Sequence, residues 1–357
     1  MANVIAYTAL DMLNPPTMNW GLAGRDSTQI VIADGLYQGI YRGSFTYNGL
    51  EVSGTLNSFE INYNGTMQSI ISGLSIDASQ VVAVIQSGQA ENLYLLALNG
   101  NDSLTGSLFN DVLAGFGGDD VLKGDLGRDS LYGDAGNDRL FGGSGVDHLY
   151  GGVGDDVYYF TTSDVIVEDA GAAGGYDEIR SSVSVTVAKN VELLSLTGTD
   201  DINGTGNSGE NRMVGNNGSN YLSGGAGNDS ILGGKGQDTL RGGSGQDFLY
   251  GGTDALGDAF VFVARTESAT GATRDSIYNF TRGADIIDLA GIDAVASSAA
   301  TNQQFTFNGT TAHANAVWYV QSGTGIVVRA DVTGDLVADF EIRLHNVTGI
   351  GAADFLL

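Results

Sequence analysis

Apolar residues recur at a fixed interval in the middle of the chain, each two positions after an acidic residue. In residues 98–160 the apolar positions are Leu104, Leu113, Leu122, Leu131, Leu140, Leu149 and Tyr158. The acidic positions are Asp102, Asp111, Asp120, Asp129, Asp138, Asp147 and Asp156. Composition alone does not keep such a period over so many copies, so the pattern predicts a repeat architecture.

The same period resumes after an interruption. Its polar positions are Asn211, Asn220, Asp229, Asp238 and Asp247, and its apolar positions are Met213, Leu222, Ile231, Leu240 and Leu249. Asp258 and Phe260 continue the series after an insertion of two residues. The chain is therefore expected to have two repeat blocks, over residues 98–162 and 202–257, separated by a spacer over residues 163–201.

Each nonapeptide divides into a turn and a short strand. Six residues rich in glycine and aspartate suit a turn, because glycine adopts positive φ angles without steric cost. The other three, such as Arg139–Phe141, suit a very short strand. Two nonapeptides then form one coil of 18 residues, with the apolar positions stacked inward as a thin core. This geometry places aspartates that are 18 residues apart at the same edge.

Aspartates stacked along one edge repel one another unless a cation lies between them. Calcium takes about six to eight oxygen ligands, which carboxylates and glycine carbonyls can supply. Each neighbouring pair on an edge predicts one ion, which gives about six to eight calcium ions in total. The predicted metal ligands are Asp102, Asp111, Asp120, Asp129, Asp138, Asp147, Asp156, Asn220, Asp229, Asp238, Asp247 and Asp258. Asn220 offers a neutral oxygen and is the weaker ligand.

Metal binding and folding are expected to be coupled in these blocks. Without metal the carboxylates repel, and the core is too thin to compensate for that repulsion. With metal, the free energy of binding becomes free energy of folding. The alternative, that the aspartates are solvated turn residues, explains the residue type but not the period.

These positions resemble a known repeat. The nonapeptide G-G-x-G-x-D-x-U-x, in which U is apolar, is the calcium-binding repeat of RTX proteins, also called the haemolysin-type repeat. "GGSGVDHLY", at residues 142–150, matches it. The resemblance covers residues 98–160 and 202–258. It implies an all-β protein built on a parallel β-roll of calcium-binding repeats in two blocks.

Residues 258–357 resemble the C-terminal domain that follows the β-roll in serralysin-type proteases. "GDAFVFVARTES" and "DSIYNFTRGADIIDLAGID" carry the resemblance, together with Asp354, Phe355, Leu356 and Leu357. The resemblance implies a β-sandwich cap on the roll and an uncleaved signal for type I secretion. It therefore implies a bacterial protein located outside the cell, with the type I secretion apparatus as its partner during export.

The remaining segments predict further strands. In the spacer, Val183, Val185 and Val187 alternate with polar residues, and "VELLSLTG" follows; the spacer is expected to continue the stack without calcium. In residues 1–97, "TYNGLEV" and "NYNGTM" place Asn-Gly between apolar stretches, which favours hairpins. "ASQVVAVIQ" and "QAENLYLLAL" favour two short helices. A small β-rich N-terminal domain is expected.

Composition narrows the choice of partners. The chain has 42 acidic and 15 basic residues and a formal net charge of -27. This charge argues against nucleic acid and anionic membrane as partners and favours a cation. Cysteine is absent, which excludes disulfides, thiolate metal sites and a cysteine nucleophile. No apolar run reaches about 18 residues and no Sec-type leader precedes the repeats, so neither a membrane span nor Sec export is expected.

The catalytic motifs of related secreted enzymes are missing. H-E-x-x-H, the zinc motif of serralysins, and G-x-S-x-G do not occur in the chain, so the resemblance implies no proteolysis. The sequence favours an extracellular structural or interaction role, such as a matrix or cell-surface component that binds its ligand through residues 1–97. The alternative is a secreted enzyme with an active site in residues 1–97.

Overall fold

The computed structural model describes residues 3–6, 21–25, 29–34, 37–48, 51–63, 66–77, 100–106, 110–170, 174–295 and 303–357. They belong to two compact units, 1–177 and 178–357. The described elements are strands apart from two 3-10 helices of three residues, η1 (Gly271–Thr273) and η2 (Ala352–Asp354). Neither of these helices has the length or the apolar character needed to cross a membrane.

The first unit begins with an antiparallel sheet. Its strands are β1 (Asn3–Ala6), β2 (Gly21–Arg25), β3 (Gln29–Asp34), β4 (Tyr37–Asn48), β5 (Glu51–Tyr63) and β6 (Thr66–Asp77). They pair antiparallel in the order β2-β3-β4-β5-β6-β1. The expectation of a β-rich N-terminal segment is confirmed for these strands.

The two expected hairpins are present. Tyr63 pairs with Thr66, which leaves the predicted Asn-Gly pair at 64–65 between the strands. Asn48 pairs with Glu51, so the asparagine of the other Asn-Gly signal belongs to β4 itself. The two helices expected between residues 78 and 98 lie outside the described residues.

Short parallel strands follow at a constant spacing. They are β7 (Ser103–Thr105), β8 (Val112–Ala114), β9 (Val121–Lys123), β10 (Ser130–Ala135), β11 (Arg139–Phe141), β12 (His148–Val153), β13 (Val157–Phe160) and β14 (Val165–Val167). One parallel sheet contains β7, β9, β11 and β13, and a second contains β8, β10, β12 and β14. β1 extends the first sheet, because it pairs in parallel with β7. This is the expected β-roll.

The repeated apolar residues form the core of the roll. Leu104 pairs with Leu122, and Leu122 pairs with Leu140, so equivalent side chains stack from coil to coil. All the predicted apolar positions of the first block, from Leu104 to Tyr158, are fully buried. Because each strand contributes mainly one inward residue, the core consists of one stacked row of side chains from each sheet and offers little apolar burial per coil.

The second unit repeats this construction. Its roll strands are β15 (Glu178–Ser181), β16 (Val185–Thr186), β17 (Leu193–Leu196), β18 (Gly204–Thr205), β19 (Arg212–Val214), β20 (Tyr221–Ala226), β21 (Ser230–Gly234), β22 (Thr239–Ser244), β23 (Phe248–Gly252), β24 (Ala259–Val261), β25 (Asp275–Tyr278) and β26 (Ile286–Asp288). The odd-numbered strands form one parallel sheet and the even-numbered strands another. Both strands expected in the spacer are present, as β16 and β17. The parallel stacking continues past residue 258.

The C-terminal segment extends both sheets of this second roll. Its strands are β27 (Thr306–Phe307), β28 (Ala316–Ser322), β29 (Gly325–Ala330), β30 (Phe340–Leu344) and β31 (Phe355–Leu356). β30 pairs in parallel with β25 and antiparallel with β29, and β29 pairs antiparallel with β28. β31 pairs in parallel with β26. Phe307 and Phe355, from the two sheets, have ring centroids 5.3 Å apart. The cap therefore has two facing layers.

Candidate metal centre

Each repeat turn delivers its aspartate to the position immediately before a strand. Asp102, Asp120, Asp138 and Asp156 precede β7, β9, β11 and β13, and we call this row the first edge. Asp111, Asp129 and Asp147 precede β8, β10 and β12, and form the second edge. Because the parallel strands are in register, the aspartates of one edge stack from coil to coil.

Glycine lets the turns of successive coils approach closely. Gly136 has a φ of 136°, in a region that other residues rarely adopt. A Cβ at Gly136 would overlap the carbonyl oxygen of Gly118, one coil earlier. The glycines are therefore required by the contact between neighbouring turns as well as by the turn conformation itself.

Hydrogen bonds that run in one direction join the aspartates of each edge. The backbone N–H of Asp102 donates to Oδ1 of Asp120 at 2.6 Å, and that of Asp120 donates to Oδ1 of Asp138 at 2.7 Å. The same bond joins Asp138 to Asp156 at 2.7 Å, Asp111 to Asp129 at 2.8 Å and Asp129 to Asp147 at 2.8 Å. We call each such pair a rung. Every rung of this block spans 18 residues, as the sequence predicts.

The second block contains the same rungs. Asp229 donates to Oδ1 of Asp247 at 2.8 Å, and Asp238 donates to Oδ1 of Asp258 at 3.0 Å. Asn211 and Asn220 begin the two rows, and their N–H groups donate to Asp229 at 2.7 Å and to Asp238 at 2.8 Å. The structure thus brings the predicted residues of this block together as adjacent pairs.

The second carboxylate oxygen in these rungs is buried. Among the described residues, no hydrogen-bond partner contacts the Oδ2 atoms of Asp120, Asp129, Asp138, Asp147, Asp156, Asp229, Asp238 and Asp247. None of these residues is more than 1% exposed. An ionised carboxylate in such a place costs several kcal/mol unless a cation pairs with it or a proton neutralises it. Each of these oxygens therefore requires one or the other.

The space beside several of the free oxygens is small and lined by oxygen atoms. A Cβ added to Gly133 would overlap Oδ2 of Asp138 and would lie 2.6 Å from the carbonyl oxygen of Gly151. Gly115 has the same relation to Asp120 and to the carbonyl of Gly133. A site bordered by a carboxylate and a backbone carbonyl fits a hard cation such as calcium, which takes oxygen ligands.

The electrostatics of the rungs oppose ionisation when no metal is bound. Burial, together with the carboxylates of Asp138 and Asp102, raises the pKa of Asp120 to about 8, against a backbone hydrogen bond that lowers it. Burial also raises the pKa of Asp129 to about 7 and that of Asp156 to about 8. Without metal these carboxyl groups hold protons near neutral pH, which a bound cation would displace.

The asparagine at the start of the second block is bonded differently from the aspartates. Oδ1 of Asn220 accepts the N–H of Asn216 at 2.9 Å, and its Nδ2 donates to the carbonyl of Ile202 at 2.7 Å. Nδ2 of Asn211 likewise donates to the carbonyl of Val191 at 3.0 Å. In these two rungs an amide N–H faces a backbone carbonyl, so both side-chain atoms are satisfied within the protein.

Four carboxylates outside the predicted set complete the rows. The backbone N–H of the last residue in each row donates a hydrogen bond to one of them. These bonds run from Asp147 to Asp164, from Asp156 to Asp177, from Asp247 to Asp275 and from Asp258 to Asp285. These spans are 17, 21, 28 and 27 residues, so a search for a fixed period misses them. Each is nevertheless followed two positions later by an isoleucine, the same spacing of aspartate and apolar residue as in the repeats. We call these four residues terminators.

Comparison with known proteins agrees with this geometry. A family model described as the RTX calcium-binding nonapeptide repeat matches in four copies, at residues 97–131, 123–158, 205–240 and 227–255. No curated protein sequence matches the chain.

Solved structures show looser likenesses. The R3 subunit of the mannuronan C5-epimerase AlgE6 from Azotobacter vinelandii is 25% identical over 42% of this chain and 78% of that chain, with a TM-score of 0.32. The R2 subunit of that enzyme is 24% identical over 44% of this chain and 92% of that chain, with a TM-score of 0.33. The extracellular lipase LipA from Serratia marcescens is 17% identical over 72% of this chain and 40% of that chain, with a TM-score of 0.25. No activity of this chain follows from these likenesses.

Proposed function

We propose that this chain, which carries two blocks of RTX calcium-binding nonapeptide repeats, is a secreted protein whose β-roll folds when it binds calcium outside the cell. The proposed ligands are the rung aspartates, from Asp102 to Asp156 and from Asp229 to Asp258. Asn220, predicted as a weaker ligand, already closes its rung with its own amide. The proposal includes about six to eight bound ions, because each rung with a free carboxylate oxygen offers one site.

The observation that carries this proposal is the pairing of a buried, free Oδ2 with a glycine carbonyl at successive rungs. Such an arrangement is unstable as a row of ionised carboxylates, since neighbouring charges repel and the core is thin. A divalent cation at each rung supplies the missing partner and offsets the repulsion. Its binding free energy then stabilises the folded roll.

Circular dichroism of the full chain tests this directly. In chelator we expect residues 98–258 to be largely unfolded, and we expect millimolar calcium to restore the β-sheet spectrum, since extracellular sites have a Kd on the order of 10⁻⁴–10⁻³ M. Magnesium at the same concentration is the control, because it demands a smaller octahedral site. An identical spectrum in chelator and in calcium would contradict the proposal.

We also propose type I export, on the resemblance of residues 258–357 to a serralysin C-terminal domain. In the low calcium of the cytosol the repeats would remain unfolded, and calcium outside would fold them, so that mass action favours the exported state. Expression of the full chain in cells with and without a type I exporter tests this. We expect the protein in the medium only when the exporter is present, and export independent of it would contradict the proposal.

An extracellular structural or interaction role is the last part of the proposal. The N-terminal antiparallel sheet, with which residues 1–97 would bind a cell-surface or matrix ligand, joins the roll edge to edge through β1 and β7. We expect the calcium-loaded full chain to adhere to its ligand-bearing cells or matrix, and a chain lacking residues 1–97 to lose adhesion while still binding calcium. Equal adhesion by both would assign the role to the roll instead.

A further inference from the structure

The end of the first block carries an acidic group that the nonapeptide pattern does not contain. Asp156, Glu168 and Asp177 each bring one carboxylate oxygen within 4.8 Å of the others. All three are buried, with exposed fractions of 1%, 7% and 1%. Asp156 belongs to the last nonapeptide of the block, whereas Glu168 and Asp177 come from the spacer, where the sequence predicts no metal.

Glu168 stands where the preceding coils have glycine. The register between β12 and β14 pairs Tyr150 with Val167, so the next position aligns Gly151 with Glu168. One coil earlier, the register between β10 and β12 aligns Gly133 with Gly151 in the same way. An interior coil offers a glycine carbonyl at this place, and the end of the block offers a carboxylate instead.

The space beside Gly151 is bordered by oxygen atoms from three side chains. A Cβ added to Gly151 would overlap Oη of Tyr158, Oδ2 of Asp156 and Oε2 of Glu168. The corresponding space beside Gly133 is bordered by one carboxylate oxygen and one carbonyl oxygen. The last space of the block is therefore richer in side-chain oxygen than the repeat itself provides.

Tyr158 holds Glu168 in position. It occupies the inward slot that the earlier repeats fill with leucine, and it is fully buried. Its hydroxyl donates a hydrogen bond to Oε2 of Glu168, and Oε1 of Glu168 accepts the N–H of Asp169 at 2.6 Å. A hydroxyl that fixes the orientation of a carboxylate is a common outer partner of metal ligands.

A separate observation shows that this group needs a ligand. Oδ2 of Asp156 is buried and has no hydrogen-bond partner among the residues that the structure describes, and it borders the same space as Glu168. Calcium–oxygen distances are about 2.3–2.6 Å, so oxygens on opposite sides of one ion lie about 4.6–5.2 Å apart. The three carboxylate oxygens of this group lie no more than 4.8 Å from one another, so one ion can contact all of them.

We propose that Asp156, Glu168 and Asp177 bind one divalent cation of the calcium type at the end of the first block, with Tyr158 as the positioning residue for Glu168. This ion is the one that the rung of Asp138 and Asp156 offers through the free Oδ2 of Asp156. The site goes beyond the nonapeptide pattern, because two of its three carboxylates come from the spacer. The ligands are all hard oxygen donors, which suit calcium and offer no nitrogen or sulfur to a transition metal.

The test counts the calcium ions bound by the full chain, by native mass spectrometry and isothermal titration. Glu168→Gln keeps the size of the side chain and its acceptor for Tyr158 but removes the charge. We expect Glu168→Gln to bind one ion fewer than the parent protein. Asp169→Asn is the matched control, since Asp169 is adjacent and exposed, and we expect it to bind the parent number.

A second variant keeps the proposal testable if Glu168→Gln fails to fold. Tyr158→Phe preserves the buried ring and removes only the hydroxyl. We expect the affinity for one ion to fall by up to about tenfold and the affinities for the other ions to stay unchanged. Full calcium binding by Glu168→Gln, or by Tyr158→Phe where Glu168→Gln does not fold, would overturn the site. Loss of ions in Asp120→Ala alone would uphold the rungs and reject this site, whereas no loss in Asp120→Ala would reject the proposed function instead.

Discussion

Asp120 and Asp138 are joined by a hydrogen bond and repel one another at the same time. The N–H of Asp120 donates to Oδ1 of Asp138 at 2.7 Å, while the carboxylate of Asp138 helps burial to raise the pKa of Asp120 to about 8. The backbone therefore fixes the two carboxylates at a spacing that only a proton or a cation makes favourable.

Substitutions along the first edge should differ according to position. Asp120 forms one rung with Asp102 and another with Asp138, whereas Asp102 begins the row. We expect Asp120→Ala to lose two calcium ions and Asp102→Ala to lose one, because each site needs both carboxylates of its rung. Calcium stoichiometry at saturation measures this, and equal losses in the two variants would contradict the pairing of residues 18 apart.

The stability of the metal-free roll should rise in acid. Burial raises the pKa of Asp120 from 3.8 to about 8 and that of Asp138 from 3.8 to about 6. Between pH 3.8 and these raised values, the folded state therefore binds more protons than the unfolded chain. Stability from these groups is complete below the unfolded pKa and is lost as the pH rises through the folded pKa. In chelator, circular dichroism should show more β-structure at pH 5 than at pH 8.

Calcium should reverse this dependence on pH. Protons compete with calcium for the same carboxylates, so the calcium-loaded protein should lose ions as the pH falls. If the rungs behave in this way, lowering the pH should increase the β-structure measured in chelator and decrease the number of ions bound in millimolar calcium. Metal-free β-structure that does not change between pH 5 and pH 8 would argue against ionised carboxylates as the main obstacle to folding.

Adding one methyl group beside a rung should displace its cation. A Cβ at Gly133 would overlap Oδ2 of Asp138, so Gly133→Ala should weaken calcium binding at that rung by at least about tenfold. Gly100→Ala is the control, because a Cβ there would have no atom within 4 Å. Isothermal titration compares the two variants. Parent-like calcium affinity in Gly133→Ala would show that the cation does not use this space.

Asn220 closes its rung with an amide, and a carboxylate there should create a requirement for metal. In Asn220→Asp an oxygen replaces Nδ2 and faces the carbonyl of Ile202, which leaves two acceptors in contact. We expect lower stability to urea in chelator and one additional calcium ion at saturation. Asn217→Asp makes the same charge change at an exposed position. Identical behaviour of the two variants would make Asn220 an ordinary member of the calcium-binding rows.

The period of the sequence was sufficient to predict the roll, because one apolar slot and one aspartate per nonapeptide determine both sheets. Leu122 and Asp120 lie where the period places them, in the core and at the first edge. The terminators were not predicted, since Asp164 and Asp177 follow loops of irregular length that no period describes. Glu168 was missed for a different reason, because its role depends on a register with Gly151 that exists only in the folded chain.

Each rung takes its donor from one coil and its acceptor from the next, so a whole coil can be duplicated or deleted and the contacts on both sides remain matched. A change of a single nonapeptide would instead exchange the two edges from that point onward. Asp164 would then follow the first edge and Asp177 the second edge. Their spans of 17 and 21 residues would no longer match the last aspartates of those rows. The geometry therefore predicts a parity rule, under which nonapeptides have to be gained or lost in pairs if both rows are to stay matched.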